Sequence, residues 1–387
     1  MACQLVSLSF RLLTTPKLFL AFALCHTTGP CFIYLAGSMK ALTIIPGQKN
    51  SASVVDMPDP PESDGSILAR ALDLGICGTD FELISAQYGW PPPGSDRLIL
   101  GHESLGCVEE APAACGFKKG DLIAGIVRHP DPEPCIACAI GEWDMCRNGK
   151  YTERGIKERH GFGSEWWRVE PAFAVRLDPR LREVGMLLEP TSIVAKAWDH
   201  ITRIGQRAEW RPRNVLITGA GPIGLLAALI GAQRGLEVHV LDRITEGLKP
   251  QLVKELGARY HTGPISAIGF KPDIIIECTG ASSLIAEAMY QLASDGILCL
   301  AGVSSHGHEQ PLDIGALNRT MVLQNNVIFG SVNANRKHWQ LAAEALGKAD
   351  PKWLARLISR REPLSGWQQA LERRPDDIKV VIEFSQA

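Results

Sequence analysis

Three side chains that can bind zinc lie in separate short motifs of the sequence. Cys77 lies in GICGTD, His102 in LGHES and Glu189 in LLEPTS. Zinc prefers thiolate, imidazole and carboxylate ligands in a tetrahedral shell, and a catalytic zinc keeps one position open for water or substrate. A lone buried cysteine or histidine is more often a packed core residue, but the three together predict a catalytic zinc site. Glu103 is interpreted as a transient ligand or as a carboxylate that orients the ligands.

A group of cysteines indicates a second, structural metal site. The chain has 11 cysteines, and three of them crowd into residues 135–146 instead of spreading as a disulfide framework would. Pro132 stands three residues before the first of them, where a fourth ligand would be expected. We predict that Cys135, Cys138 and Cys146 bind a structural zinc, completed by Asp131, Glu133 or Asp144; a metal-free lobe is the alternative.

The segment VLITGAGPIGLLAALIGAQRGLEVHVLDR predicts a dinucleotide-binding turn. It places three glycines between an apolar strand and a helix, and Asp242 at the end of the next strand. Gly219 would form the tight turn, Gly221 would let a pyrophosphate approach the backbone, and Gly224 would allow close packing of helix on strand. Asp242 favours the ribose of NAD, whereas Arg243 could pair with the 2′-phosphate of NADP, so the sequence leaves the cofactor preference open.

The elements that must position these residues fall into two domains. Residues 39–182 contain short apolar strands separated by Gly and Pro, which predicts a mostly β domain. Residues 183–339 open with the helical stretch MLLEPTSIVAKAWDHI and continue with apolar runs that alternate with helices, which predicts a doubly wound parallel sheet. Residues 340–387 are expected to return to the first domain, with HWQLAAEALGKA, WLARLIS and SGWQQALERR helical and IKVVIEF a strand. The predicted fold class is α/β.

Composition excludes several kinds of partner. Apolar residues make up 45% of the chain, charged residues 21%, and the net charge is −2, values typical of a soluble globular protein. No basic patch indicates nucleic acid or an acidic membrane as a partner. Cysteines grouped for metal binding favour a reducing compartment, and we therefore expect a cytoplasmic protein.

Residues 1–38 form a separate leader of mildly apolar segments interrupted by Arg11, Lys17 and His26. None of these segments reaches the roughly 18 residues that a membrane span needs. A signal peptide is one interpretation, and Met39 as the real start is the other, because MKALTIIPG opens as a strand followed by a Pro-Gly turn. We expect the leader to be disordered, removed, or a consequence of start-site assignment.

The motifs GICGTD, LGHES, C-x-x-C-x7-C, LLEPTSIVAKA and GAGPIG occur in this order and resemble the zinc-containing medium-chain dehydrogenase/reductase superfamily. A carboxylate at Glu189, YTERGIKERHGF after the cysteines and GSVNANRKHW after the parallel sheet resemble the glucose 1-dehydrogenases in particular. The resemblance covers residues 39–387 and implies a GroES-like catalytic domain followed by a Rossmann domain. It also implies zinc-dependent oxidation of D-glucose at C1 to gluconolactone, with hydride transfer to NAD or NADP.

The resemblance implies further site residues. Thr79 would contact substrate and relay its hydroxyl proton. The substrate contacts it implies are Thr79, Glu103, Glu153, Glu189 and Asn333. The cofactor contacts are Gly219, Gly221, Pro222, Ile223, Gly224, Asp242, Arg243, Ala301, Gly302, Val303, Ser331, Val332 and Asn333.

The resemblance also implies a homodimer or homotetramer. The scaffold by itself does not fix the substrate, so other polyols, other aldoses and L-threonine are alternatives to glucose. A non-catalytic dinucleotide-binding protein is a further alternative, although it would not be expected to keep a set of metal ligands.

Overall fold

The computed structural model describes residues 37–304 and 309–384. The expectations for the leader therefore lie, up to residue 36, outside the described residues. The strands of the described part are β1 (Ser38–Ile44), β2 (Ser53–Pro58), β3 (Ile67–Ile76), β4 (Leu98–Ile99), β5 (Glu103–Glu110), β6 (Leu122–Gly125), β7 (Arg128–His129), β8 (Thr152–Arg154), β9 (Glu158–Arg159), β10 (Trp166–Val169), β11 (Ala174–Arg176), β12 (Asn214–Thr218), β13 (Glu237–Leu241), β14 (Arg259–His261), β15 (Ile274–Glu277), β16 (Ile297–Leu300), β17 (Val327–Gly330), β18 (Ile358–Pro363) and β19 (Lys379–Glu383).

Ten helices connect these strands in the part of the chain that the structure describes. They are α1 (Gly78–Ile84), α2 (Ile136–Ala139), α3 (Leu188–Gly205), α4 (Pro222–Gln233), α5 (Leu248–Glu255), α6 (Ser282–Ala288), α7 (Ile314–Gln324), α8 (Arg336–Lys348), α9 (Pro351–Ala355) and α10 (Trp367–Ala370). None of the helices within residues 37–304 and 309–384 is long and apolar enough to cross a membrane.

The long strand β3 is the centre of the first half of the chain. It pairs antiparallel with β5, β10 and β19, and these pairings belong to a seven-stranded sheet in the order β11-β6-β5-β3-β19-β18, with β10 joined to β3. The last six residues of β3 are all buried, which agrees with an apolar strand covered on both faces. Cys77 follows the last residue of β3, so this sheet fixes the position of the predicted zinc site.

The second half of the chain forms a parallel sheet of six strands. Their order is β14-β13-β12-β15-β16-β17, and every neighbouring pair is parallel. In this topology the first strand, β12, lies beside β15 at the point where the strand order reverses. Ligands of doubly wound sheets bind at the carboxyl ends of the strands at such a point, and the predicted glycine turn directly follows β12.

In the sequence, helix α3 lies between the strands of the two sheets. In the structure it contacts both β5 of the first sheet and β16 of the parallel sheet. Twelve of its 18 residues are buried, including Glu189, Lys196 and Trp198. Trp198 donates a hydrogen bond from Nε1 to the main-chain oxygen of Ala227 in α4, at 3.2 Å. Helix α3 therefore fixes its first turn, which carries Glu189, relative to the parallel sheet.

The C-terminal segment differs from its predicted structure at two points. SGWQQALERR was expected to be helical to Arg374, but α10 ends at Ala370. WLARLIS was expected to be helical, but α9 ends at Ala355 and Ile358–Pro363 forms strand β18, parallel to β19. Apolar residues at Leu354, Leu357 and Ile358 fit a helical period, but pairing with β19 satisfies the strand backbone and overrides that pattern. Strands β18 and β19 thereby join the sheet of β3, far from them in sequence.

Candidate active site

Cys77 is held at the junction between a buried strand and a helix. It is the N-cap of α1, and its main-chain N–H donates to Asp80 Oδ2 at 2.9 Å. Asp80 in turn donates its own N–H to the Cys77 side chain, which completes a capping box. Two residues after Cys77, Thr79 Oγ1 lies 4.0 Å from the Cys77 sulfur. The Gly-Thr-Asp sequence therefore fixes the orientation of the thiol.

His102 and Glu103 approach Cys77 from the neighbouring part of the sheet. Glu103 begins β5, opposite Gly75 of β3, and a Cβ added to Gly75 would lie 2.1 Å from Glu103 Oε2. Lys379, the first residue of β19, places its ammonium 2.6 Å from both oxygens of Glu103. His102 Nδ1 lies 3.7 Å from Asp80 Oδ1 and makes no hydrogen bond within the described residues.

These side chains form a donor set with the composition of a zinc site, in which His102 and Glu103 are buried and Cys77 is half-buried. Cys77, His102 and Glu103 offer ligand atoms that all lie within 4.8 Å of one another. Glu189 lies outside this set but is buried, and its charge acts on the pKa of His102. A thiol, an imidazole and carboxylates with a further carboxylate behind the histidine match both the ligands and the outer-shell partners of zinc. The residues present therefore fit the metal.

The electrostatics of the site favour a cation. Burial raises the pKa of Glu189 to about 7, and the charge of Glu103 adds to this effect while His102 opposes it. Burial would lower the pKa of His102, but the charges of Asp80, Cys77 and Glu189 raise it well above its ordinary value. Three carboxylates and one thiol thus surround His102 and Lys379, and loss of the protons from the thiol and from Glu189 would leave a negative charge that a divalent cation would balance.

The three glycines of the turn differ in their backbone conformation and in the space around them. Gly219 has φ of 89°, in the left-handed region that favours glycine. A Cβ on Gly224 would lie 1.8 Å from the Gly219 main-chain oxygen, whereas a Cβ on Gly221 would meet nothing within 4 Å. Gly224 is therefore needed for helix packing, and Gly221 leaves open space at the start of α4, where phosphates bind in such turns.

Asp242 is tied to this turn by hydrogen bonds. Its Oδ2 accepts from the N–H of Ala220 at 2.6 Å and its Oδ1 from the N–H of Ile244 at 3.0 Å. Arg243 is exposed and makes no ion pair within the described residues. A cavity of about 550 Å³ opens beside it, lined by residues 244 and 246–249 and by Pro375 and Asp376. Sequence reasoning assigned Asp242 to a ribose, but its carboxylate also serves the turn itself.

The predicted nicotinamide residues lie in loops after β16 and β17. Glu277, buried at the end of β15, accepts through its main-chain oxygen from the N–H groups of Ala301 and Gly302, at 2.8 and 2.9 Å. The Ser331 N–H donates to Leu300 O at 3.0 Å, which joins the two loops. Val303 and Val332 are 77% and 58% exposed. Two exposed valines at the carboxyl ends of the strands are available to pack against a planar ring.

One cleft connects two of the candidate metal-site residues with the glycine turn. Its volume is about 330 Å³, and its lining includes Cys77 and Glu103 from the first half of the chain and Pro222 and Ile223 from the second. The C-terminal segment closes one side through Arg373 and Lys379. The cleft therefore places a candidate metal site beside a candidate dinucleotide site, as hydride transfer requires.

The two predicted sugar contacts, Glu153 and Asn333, are in direct contact with each other. Asn333 donates from Nδ2 to Glu153 Oε1 at 2.7 Å. Arg128 donates to the same oxygen from Nε at 3.0 Å and lies 2.9 Å from it through Nη2. All these donors converge on Oε1, so the second carboxylate oxygen can accept a hydroxyl of a substrate.

The cysteine lobe brings the predicted thiols together. The sulfurs of Cys135, Cys138 and Cys146 lie within 4.8 Å of one another. The N–H of Arg147 donates to Cys135 Sγ at 3.4 Å, and such N–H donors lower the pKa of Cys135 to about 6. Burial raises the pKa of Cys138 to about 11.

Three carboxylates were considered as the fourth ligand of this lobe. Two of them bind other groups, and the third is exposed. Asp144 is buried with Lys196 and Asn335, each 2.8 Å from one of its oxygens. Asp131 accepts from the N–H of Glu133 and from Asn148. Glu133 is 87% exposed. Asp144 is therefore directed away from the sulfurs and into a polar network that the sequence did not predict.

Most of the chain matches two known protein domains. Residues 63–179 match the alcohol dehydrogenase GroES-like domain, and residues 182–384 match the glucose dehydrogenase C-terminus. The chain is 40% identical over 357 residues to glucose 1-dehydrogenase of Methanocella arvoryzae, which covers 89% of this chain and 99% of the relative. The chain belongs to the glucose 1-dehydrogenase family.

Other glucose dehydrogenases extend this finding. Glucose 1-dehydrogenase 2 of Vulcanisaeta moutnovskia is 38% identical over 355 residues, which cover 90% of this chain and all of the relative. The structure of Haloferax mediterranei glucose dehydrogenase in complex with NADP, zinc and gluconolactone superposes with a TM-score of 0.83 at 31% identity, covering 90% of this chain and 100% of that one. The predicted family and α/β fold class, a GroES-like domain with a Rossmann domain, are confirmed.

Sequence reasoning missed several residues of this glucose dehydrogenase site. Lys379 and Glu277 carry no local motif, because the partners that make them important lie far away in sequence. Asp80 could have been found, since an acidic residue three positions after a helix N-cap is the signature of a capping box. Arg128 and Lys196 had no signal, because a buried cation is indistinguishable from a surface cation in sequence.

Proposed function

We propose that this protein oxidises the C1 hydroxyl of D-glucose to gluconolactone and transfers hydride to NAD or NADP, with zinc as the catalytic metal. The observation that carries the proposal is the cleft shared by Cys77, Glu103, Pro222 and Ile223, which joins the metal donor set to the glycine turn. Membership of a family of NAD(P)-dependent zinc dehydrogenases supports the reaction class. Glucose is supported by relatives named for it.

Cys77, His102 and Glu189 would bind the zinc. A zinc ion held there supplies a Lewis acid that stabilises negative charge on the C1 oxygen. Asp80, with its Oδ1 3.7 Å from His102 Nδ1, would orient His102. Lys379 lies 2.6 Å from Glu103 and neutralises it, so we assign Glu103 to the outer shell of the site. We assign to Thr79, half-buried two residues after Cys77, the role of accepting and passing on the hydroxyl proton.

Glu153 and Asn333 would orient the sugar. Within the described residues, the hydrogen bonds to the Glu153 carboxylate all go to Oε1, which leaves Oε2 available. Asn333 has φ of 60°, a left-handed conformation that asparagine tolerates better than most residues. Sugar recognition needs several polar groups directed at hydroxyls, and each missing partner leaves a buried group unsatisfied. These two residues therefore account for selection of a polyhydroxy substrate over a simple alcohol.

The dinucleotide would lie along the glycine turn. Its pyrophosphate would bind over Gly221 at the start of α4, and its nicotinamide between residues 301–303 and 331–333. Asp242 and Arg243 would face the adenosine ribose, where exposed Arg243 fits a 2′-phosphate. We propose that both NAD and NADP bind, with Arg243 favouring NADP.

We further propose a homo-oligomer in a reducing, cytoplasmic compartment. Strand β17 is an edge of the parallel sheet, and helix α7, which precedes it in the chain, has exposed apolar side chains: Ile314, Val322 and Leu323 are each more than 60% exposed. An unpaired apolar edge is a site for pairing with a second copy of the chain. The eight described cysteines are free thiols, which supports the compartment.

The test is initial-rate reduction of NAD and NADP by D-glucose, on protein that begins at Met39, before and after chelation and with zinc restored. Turnover that chelation abolishes and zinc restores supports the proposal. Inert glucose with an active polyol, another aldose or L-threonine would overturn the substrate while keeping the enzyme class. Inactivity with every alcohol, with dinucleotide still bound, would overturn catalysis.

A further inference from the structure

Lys196 is a buried lysine that the proposed chemistry does not use. It lies on α3, seven residues after Glu189, and its side chain is 2% exposed. Seven residues make two helical turns, so Lys196 and Glu189 share one face of α3, about 10 Å apart along its axis. A charged lysine is almost never fully buried unless it is paired, so its partners indicate its role.

The partners of Lys196 come from two distant parts of the chain. Its ammonium lies 2.8 Å from Asp144 Oδ2 and donates to the main-chain oxygen of Val332 at 2.9 Å. Asp144 Oδ1 accepts from Asn335 Nδ2 at 2.8 Å. One ion pair thus contacts both Val332 and Asn335, the residues on either side of Asn333 and Ala334.

The same contacts continue to the proposed sugar site. Asp144 accepts through its main-chain oxygen from Arg128 Nη1 at 3.2 Å, and Arg128 also holds Glu153 Oε1. Asn333 Nδ2 donates to that oxygen at 2.7 Å. Starting from Lys196, the contacts pass through Val332, Asn333, Glu153 and Arg128 and return to Asp144. They form a closed ring of contacts, called here the ring, with two cations and two carboxylates.

Asn333 is the member of the ring with an unusual backbone. Its φ is 60°, and its Oδ1 accepts from the N–H of Ala334 at 2.8 Å. A left-handed residue persists when the surrounding structure holds it on both sides. Lys196 holds the preceding carbonyl, and Asp144 holds Asn335, which caps α8.

A metal is a poorer explanation for this cluster. Asp144, His200 and His338 offer ligand atoms within 4.8 Å of one another. The ammonium of Lys196, however, lies 2.8 Å from the Asp144 oxygen that also faces His338. A cation already balances the carboxylate, so the cluster is an ion pair with polar neighbours.

We propose that the ion pair of Lys196 and Asp144 is a positioning device for the sugar site: it holds residues 332–335 so that Asn333 and Glu153 face the substrate. Lys196 acts through Asn333 and does not touch the sugar. The inference rests on the proposed function, in which Glu153 and Asn333 contact the sugar. Because Glu189 and Lys196 share α3, the same helix sets the spacing between the metal site and the sugar-binding segment.

The experiment is a double-mutant cycle between Lys196→Met and Asn333→Ala, with KM for D-glucose, kcat and the Kd of NADP measured for each variant. Lys196→Met is expected to raise the glucose KM about tenfold. The Kd of NADP should rise less than the glucose KM, because the glycine turn at Gly219–Gly224 lies outside the ring and the ring shares only Val332 and Asn333 with the proposed cofactor contacts. In the double variant, the glucose KM should be no higher than in Asn333→Ala alone, since Lys196 acts through Asn333.

Two further variants serve as a replacement and a control for Lys196→Met. Lys196→Met leaves Asp144 as an unpaired buried charge, so Lys196→Met/Asp144→Asn, which removes both charges, replaces it if the single variant does not fold. Lys337→Met is the matched control, because Lys337 of α8 pairs at 2.8 Å with Asp199, which lies on the same helix as Lys196 but outside the ring. The control should leave the glucose KM unchanged.

The outcomes distinguish a failure of the positioning role from a failure of the proposed function. If Asn333→Ala raises the glucose KM but Lys196→Met does not, or if the two effects multiply, the positioning role is wrong and the proposed function stands. If Lys337→Met raises the KM as much as Lys196→Met, the effect is general helix packing and the positioning role is again wrong. If Asn333→Ala leaves the KM unchanged, the proposed sugar contact fails, and the positioning role fails with it.

Discussion

Asn333 donates from Nδ2 to Glu153 Oε1 at 2.7 Å, although 180 residues separate the two in sequence. The bond joins the catalytic domain to the loop that follows the parallel sheet. The proposed sugar site is therefore completed only when the two halves of the chain pack together.

Glu153→Gln should weaken glucose binding. The amide keeps the size of the side chain but loses the charge that Arg128 and Asn333 both contact. A hydrogen bond to a charged group contributes about 1.5–3 kcal/mol, so the glucose KM should rise at least tenfold. Steady-state kinetics with varied glucose measures this, and Glu133→Gln, on an exposed side chain, is the control. An unchanged KM would remove Glu153 from the sugar site.

Lys379→Met should destabilise the protein strongly. It leaves the buried carboxylate of Glu103 without its cation, and breaking a buried pair in this way costs about 3–5 kcal/mol. Urea unfolding monitored by tryptophan fluorescence measures the loss. Lys379→Met/Glu103→Gln should recover most of it, because no unpaired charge remains; failure to recover would show that the lysine stabilises by another contact.

Substitutions of Cys77 and Cys138 should each remove a different zinc ion. Cys77→Ser should remove the catalytic zinc and abolish turnover while the fold persists. Cys138→Ser should remove a second zinc and lower the melting temperature, because its site lies in a separate lobe. Metal content per chain, measured by plasma mass spectrometry with circular dichroism on the same samples, distinguishes the two. One zinc in the unmodified protein would leave the cysteine lobe metal-free.

Arg243→Ala should change the choice of cofactor. The guanidinium is exposed beside Asp242, where a 2′-phosphate would lie, so its removal should raise the KM for NADP about tenfold and leave the KM for NAD within about twofold. Kinetics with each dinucleotide at saturating glucose provides the comparison. Equal effects on both cofactors would contradict a contact with the 2′-phosphate.

His338 should make folding stability depend on pH. Burial lowers its pKa to about 4, with Asp144 and Asp199 opposing the shift. The unfolded chain, with a histidine pKa near 6.5, binds a proton that the folded chain excludes. The contribution of His338 is therefore complete above about pH 6.5 and is lost as the pH falls through about 4.

The measurement is the free energy of unfolding between pH 4 and pH 8, for the unmodified protein and for His338→Gln. The difference between the two should change by about 3 kcal/mol at most over this range, since one pKa unit corresponds to about 1.4 kcal/mol. A difference that does not vary with pH would show that His338 has an ordinary pKa in the folded protein.

The sequence by itself determined the features that depend on residues close together in the chain. Gly219, Gly221 and Gly224 act within six residues of one another, and Cys135, Cys138 and Cys146 within twelve, so spacing alone predicted the dinucleotide turn and the thiol cluster. The alternation of apolar runs with helices predicted the parallel sheet. Short sequence separations leave few possible arrangements, and local chemistry then decides among them.

The tertiary structure decided every relationship between distant charged groups. That Lys379 neutralises Glu103, that Lys196 and Asp144 form a buried pair, and that residues 358–363 form a strand rather than a helix all follow from packing. A lysine or aspartate in sequence is most often a solvated surface charge, and only burial makes its partner matter. Burial is a property of the folded chain, so these partners could not be predicted from residue type and spacing.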